Sequence, residues 1–252
     1  MKRLRKILVW IFLLIIAGVI AFLAWYFLTG YGTRDPYSVV PKDAVFVIET
    51  EDLTEGWSQI SKSQMWTSLK TNEYFADVNE SASILDSLIK NNSTVSSMMG
   101  GRRLLVSAHM ISQNDYDFLF VVDMKRGSKI SFLKDYISTL VKQFGYSLKY
   151  RDFDGIEISE LTDAETGEII YLYFADNLLV GSYNAGIIEK SIKEMDTDKP
   201  GLTGNTEFHD VNKKIGENLF SVKVNYKMLE KYLYCYMTDP GENAKELSKS
   251  LF

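Results

Sequence analysis

Three places in the chain set two aspartates two residues apart: Asp115-Tyr116-Asp117, Asp152-Phe153-Asp154 and Asp196-Thr197-Asp198. Hard oxygen ligands suit Mg²⁺ or Mn²⁺, and such a pair can hold a divalent cation bound to a sugar-nucleotide diphosphate. The chemistry would be metal-dependent sugar transfer. For that reaction the pair must stand at the end of a parallel strand, whereas the surrounding pattern reads as hairpins. All three pairs fall where turns are expected, and Asp forms turns through its own local hydrogen bonds. Turn formation is the expectation, and an Asp-x-Asp glycosyltransferase is the alternative.

The other reactive side chains are few. His109 lies on a strand face with Ser107, and His209 lies on a short helix beside Asp210. Neither has a second histidine or a cysteine at metal-ligand spacing, so both read as satisfied or solvent-facing histidines. Cys235, the one cysteine, sits among Tyr232, Leu233, Tyr234 and Tyr236 and reads as packed rather than nucleophilic. Gly-x-Ser-x-Gly, His-Glu-x-x-His and a phosphate-binding glycine loop do not occur in the sequence. The junction Gly181-Ser182-Tyr183-Asn184 reads as a helix cap in preference to an anion site. No catalytic residue, metal ligand or cofactor is assigned.

The elements that would position these residues follow from periodicity. Ala44 to Thr50 is β-branched and aromatic and predicts the first strand. Leu53, Trp57 and Ile60 recur at helical spacing, and Trp66 and Leu69 continue after a break at Ser61 to Ser63. Further helices are expected along Phe75 to Ile89 and along Ile130 to Phe144. Leu104 to Ile111 and Phe118 to Met124 predict a hairpin whose second strand is central. Tyr146 to Tyr150, Ile156 to Leu161, Ile169 to Ala175 and Leu178 to Ser182 predict a run of strands, with Asp176-Asn177 as a two-residue turn. Asn184 caps a helix bearing Ile188, Ile192 and Met195, and Asp196 to Asn205 reads as a linker. A short helix near Phe208, a strand from Leu219 to Val224 and a helix through Met228 and Tyr232 follow. Hairpins joined by helices predict an α+β fold: a mainly antiparallel sheet covered by helices, after an N-terminal transmembrane helix.

That helix is Ile7 to Leu28, 22 residues without charge or proline. At about 1.5 Å per residue it spans a hydrocarbon core of roughly 30 Å. Lys2, Arg3, Arg5 and Lys6 crowd its N-terminal side, which places that end in the cytoplasm and the bulk of the chain outside. A cleaved signal peptide would be shorter and end in small residues, and here Trp25, Tyr26, Phe27 and Leu28 stand. The expected organisation is a basic cytoplasmic tail over 1–6, a signal-anchor over 7–28, a tether over 29–41, an exported α+β domain over 42–200, and over 201–252 either the start of a second lobe or closing helices. The part after Arg34 carries 23 basic and 33 acidic residues, a net charge of −10. Such a surface repels phosphate backbones, so nucleic acid is excluded as a partner. The expected partners are the lipid bilayer through residues 7–28 and a protein of the cell envelope.

Several stretches have a familiar wording. Pro41-Lys42-Asp43-Ala44 leads into Val45 to Glu49. Asp52-Leu53, Trp57 and Trp66 follow at helical spacing. Asp117-Phe118-Leu119-Phe120 comes later, then Asn177-Leu178-Leu179-Val180-Gly181-Ser182 before Glu189-Lys190-Ser191-Ile192. Together these resemble an uncharacterised family of single-pass envelope proteins of Gram-negative bacteria that carry an exported domain of unknown function. The resemblance covers most of residues 41–195 and implies a periplasmic domain on an inner-membrane anchor. It implies no activity, substrate or cofactor. The functional expectation is a membrane-anchored extracytoplasmic interaction or scaffold module.

Overall fold

A computed structural model describes residues 34–71, 100–125, 145–215 and 220–234. The anchor over 7–28, the helices expected along 75–89 and 130–144, and Cys235 lie outside the described residues. Among those described, no helix is long and apolar enough to cross a membrane.

The architecture is α+β, built on one antiparallel sheet of eight strands. The strands are β1 (Phe46–Thr50), β2 (Leu104–Met110), β3 (Tyr116–Asp123), β4 (Tyr146–Phe153), β5 (Ile156–Asp163), β6 (Ile169–Ala175), β7 (Leu178–Ser182) and β8 (Phe220–Val224), in the spatial order β4-β5-β6-β7-β3-β2-β1-β8. The expected hairpins are present. β2 and β3 pair with Leu105 opposite Val121, and β3 is an inner strand, flanked by β2 and β7. Asp154 and Gly155, both at positive φ (50° and 78°), make the tight β4–β5 turn. Among the described residues the helices are α1 (Leu53–Ser61), α2 (Gln64–Lys70), α3 (Ala185–Met195), α4 (Thr206–Ile215) and α5 (Tyr226–Tyr234). Asp52 caps α1, accepting from the Thr54 and Glu55 N–H groups at 2.9 and 3.1 Å, and the expected break separates α1 from α2.

Alternation gives the sheet two unlike faces. One face carries Val47, Leu105, Leu119, Val121, Val180, Tyr173 and Ile158, all buried. α3 lies over it and buries Ile187, Ile188, Ser191, Ile192 and Met195. Asn184 caps α3 through Oδ1, which accepts from Gly186 N–H at 2.9 Å. The opposite face carries a row of aromatic rings: Phe46, Tyr116, Phe118 and Phe120, with Tyr232 of α5 set 5.4 Å from Phe46 and 4.7 Å from Tyr116.

Two stretches depart from expectation. Residues 36–41 read as tether by composition, yet Pro36–Val39 forms a buried 3₁₀ turn with Tyr37 and Val39 in the core. The proline fixes the turn's φ, and the apolar side chains behind it have a sheet face to cover. The linker read over 196–205 likewise contains a packed 3₁₀ turn, Gly201–Gly204, with Leu202 buried and its N–H donating to Val40 C=O at 2.9 Å. Gly201 makes that contact possible: it has φ +44°, and a Cβ there would sit 2.5–2.7 Å from the carbonyl oxygens of Ser38, Val40 and Tyr37.

Gly201→Ala therefore adds overlap to strain. Gly155→Ala, at positive φ but with open space around it, serves as the control. In urea unfolding, Gly155→Ala is expected to cost about 1–2 kcal/mol, and Gly201→Ala at least twice as much. Equal losses at the two positions would mean the two 3₁₀ turns do not pack as described.

Candidate functional site

The covered face holds a carboxylate with four partners. Glu49 points inward from β1 and is 5% exposed. The register Val47↔Lys223 and Glu49↔Ser221 brings the polar residues of β8 beside it. The Lys223 ammonium and the Tyr37 hydroxyl both donate to Glu49 Oε2, and Lys223 also donates to Tyr37 Oη at 2.5 Å and Ser221 Oγ at 2.9 Å. Arg103, just before β2, donates through Nε to Glu49 Oε1 at 2.5 Å, and Ser221 Oγ lies 3.2 Å from Oε2. Burial alone would raise the Glu49 carboxyl. The hydrogen bonds from Lys223 and Tyr37 and the charge of Arg103 outweigh it, holding the group below its ordinary value of 4.5. Burial pushes the Tyr37 hydroxyl far up, and the adjacent carboxylate adds to the shift. Tyr37 is thus a neutral donor, and the Lys223 ammonium is occupied on three sides.

A second polar line crosses β2. Ser107 Oγ lies 2.8 Å from His109 Nε2, and His109 Nδ1 lies 3.3 Å from Asp43 Oδ1. Lys190 of α3 donates to Asp43 Oδ2 at 2.5 Å. The connectivity is that of nucleophile, base and orienting acid. Access is missing: Ser107 is fully buried and His109 is 2% exposed, so no substrate carbonyl reaches the hydroxyl. The line instead pins the loop before β1 to β2 and α3. Burial works against the Asp43 carboxylate, but hydrogen bonds from His109 and Lys190 and their charge bring it down to about 2. Of the two readings open for His109, the structure gives the satisfied one. His209 is exposed on α4.

The Asp pairs occupy turns and ends. Asp115 accepts from Tyr116 N–H at 2.9 Å and Asp117 from Phe118 N–H at 2.7 Å, at the mouth of the β2–β3 hairpin. Asp152 and Asp154 bracket the tight β4–β5 turn, and Asp196 ends α3. Among the described residues, no three His, Cys, Asp or Glu side chains group so as to hold a metal ion.

Beside the Glu49 cluster, at the sheet margin, lies a cavity of about 320 Å³. Val47 and Lys223 floor it, and Leu202, Phe208 and Val211 wall one side. Val224, Asn225 and Tyr226 close the β8–α5 corner. Phe208 of α4 packs its ring 4.8 Å from that of Tyr37, and Lys227 of α5 bonds Glu207 of α4 at 2.9 Å. The cavity is apolar with a polar rim, and it opens beside a strand that has a neighbour on one side only among the described strands. Chemically the place offers surface and backbone hydrogen bonds. Sequence reading missed it, because Glu49 and Lys223 are far apart in the chain and neither stands in a motif.

Compared with protein-family models, with curated proteins and with solved structures, the chain has no match.

Two consequences of the Glu49 cluster are measurable. Glu49→Gln strips the buried Lys223 of its anion and is expected to cost about 3–5 kcal/mol at pH 7. Lys223→Met leaves Glu49 with Arg103 and Tyr37 and is expected to cost less than half of that, as read by urea unfolding. The pH dependence has a definite sign. A carboxylate whose folded value is depressed stabilises fully above its unfolded value and loses that contribution as pH falls through the folded one. Stability should therefore fall from about pH 4.5 downward through Glu49, and from 3.8 towards about 2 through Asp43. Glu49→Gln should flatten the first part of this fall, and an unchanged acid profile would remove Glu49 from the account.

Proposed function

We propose that this chain is a membrane-tethered interaction module of the bacterial envelope, anchored by residues 7–28 with its N-terminus in the cytoplasm and its sheet domain in the periplasm. The observation that carries the interaction reading is the β8 margin. Phe220, Val222 and Val224 are 38, 50 and 39% exposed on one side of a strand that pairs only with β1 among the described strands. Apolar residues in a row on an open strand are what a binding edge offers: backbone hydrogen bonds for affinity and alternate side chains for selectivity. The cavity beside Lys223 adds a recess into which a partner's side chain fits. The sealed Ser107–His109–Asp43 line and the turn positions of the Asp pairs also favour binding over catalysis.

Placement rests on the sequence. The uncharged run Ile7 to Leu28, the four basic residues before it and the net charge of −10 after Arg34 support a domain held outside the cytoplasm and off an anionic membrane. The resemblance to the Gram-negative envelope family supports the same address.

A reporter active only outside the cytoplasm, fused after Phe252, should be active, and the protein should stay in the membrane fraction in alkaline carbonate. Release into the soluble fraction would remove the anchor from the proposal. A photo-crosslinking residue at Val222 should capture a protein in intact cells, while the same residue at Lys149 on the opposite margin should not. Equal yields at the two margins would remove the edge as the binding surface.

A further inference from the structure

The two margins of the sheet are built differently. Among the described strands, β4 lies at one margin and β8 at the other. An open margin is a template for pairing, and proteins guard it with charge, proline, bulges or cover. β4 is guarded: it contains Lys149, Arg151 and Asp152, and Arg151 holds Glu160 at 3.0 Å and Glu189 at 2.8 Å. β8 has no proline, and its one charge, Lys223, turns inward onto Glu49 and is 7% exposed. α4, beside this margin, adds Val211 at 49% exposure.

The pattern of β8, Phe220-Ser221-Val222-Lys223-Val224, reads the same in either direction: apolar, polar, apolar, polar, apolar. Antiparallel pairing with a second β8, centred on Val222, sets Val222 opposite its own copy, Phe220 opposite Val224, and Ser221 opposite Lys223. Directly opposed residues share a face, so the apolar side chains of both copies meet on one side of the seam and the polar ones on the other. Charge does not oppose the approach. The part of the chain after Arg34 is net −10, but residues 206–234 carry five lysines and four acids, a net +1. The two-fold axis of such a pair stands normal to the sheet, so both copies present Arg34 at the same height and both anchors can enter one membrane.

We propose that β8 is the seam of a two-fold homodimer in which two sheets join edge to edge, with Val222 of each copy facing Val222 of the other. The contact is isologous and closes on itself, leaving the guarded β4 margins outermost. This deepens the reading of the chain as an interaction module by naming the partner as a second copy.

The test uses the full-length chain in membranes, with Cys235→Ser to remove the native thiol. Opposed Cα atoms in an antiparallel pair lie about 4.5–5.5 Å apart, within disulfide reach. Val222→Cys should give a covalent dimer on mild oxidation. Val224→Cys alone should not, because it faces Phe220 of the second copy, whereas Phe220→Cys with Val224→Cys together should. Sedimentation of the detergent-solubilised chain without these cysteines should give twice the monomer mass, and Val222→Lys should return it to monomer. A monomeric mass, or equal oxidation yields at 222 and 224 alone, overturns the seam. A photo-crosslinker at Val222 that captures a different protein overturns self-pairing while leaving the interaction module standing, and capture of nothing overturns both.

Discussion

A carboxylate removed from water has to meet its partners where it lies, and Glu49 meets four of them from three parts of the chain. Tyr37 comes from the 3₁₀ turn ahead of the sheet, Arg103 from the approach to β2, and Ser221 and Lys223 from β8. A buried ion pair is a weak source of net stability, because desolvation offsets most of the attraction. Its effect here is on register. A slip of one residue in β8 would turn Lys223 to the aromatic face and set an apolar side chain against the buried carboxylate. Hydrophobic burial alone discriminates poorly between registers in a strand that alternates apolar and polar residues with both sides partly covered. One charge pair settles it.

The cover of that face is graded. α3 seals the middle of the sheet, where Val121, Val180 and Tyr173 have no contact with solvent. Toward β1 and β8 the cover passes to the two 3₁₀ turns and the start of α4, which are shorter and more polar. Two polar clusters sit in this zone: Glu49 with its partners, and Asp43 with His109. The cavity opens where the cover thins further, between α4 and the last strand. Its position therefore follows from where the helix stops and the single turns take over.

Most of the strand order in sequence was legible, because an antiparallel sheet with two unlike faces writes its alternation into each strand. The tight turns at Asp154-Gly155 and Asp176-Asn177 announce themselves by residue type. Residues 36–41 did not, since Pro36, Ser38 and Pro41 have the composition of a tether, and only the presence of a sheet face decides that Tyr37 and Val39 are buried. Gly201-Leu202 was misleading for the same reason: the glycine is there for a close approach to carbonyls contributed by residues 37–40. The shared face of Ser107 and His109 was visible from their spacing, but Asp43 as the third member was not. The Glu49–Lys223 pair carried no local signal, because its partners are 174 residues apart. The three Asp-x-Asp pairs were expected in turns: Asp154 lies in a tight turn and Asp196 ends α3, while Asp117 and Asp152 lie within β3 and β4.

The sheet's strand order also fixes an order of arrival. Chains appear N-terminus first, so β1 and its carboxylate exist long before β8 does, and closing a loop of that length carries an entropic cost that must be met before the last contacts form. In that interval β1 is itself a margin strand, and Glu49 has Arg103 but no ammonium beside it. The four-strand meander β4 to β7 can form meanwhile from short hairpins, since each of its turns is local. Assembly thus begins with the half of the sheet made second, and the half made first waits for the end of the chain. A truncation ahead of residue 220 would leave β1, with its inward carboxylate half neutralised, as the exposed rim of an otherwise finished sheet.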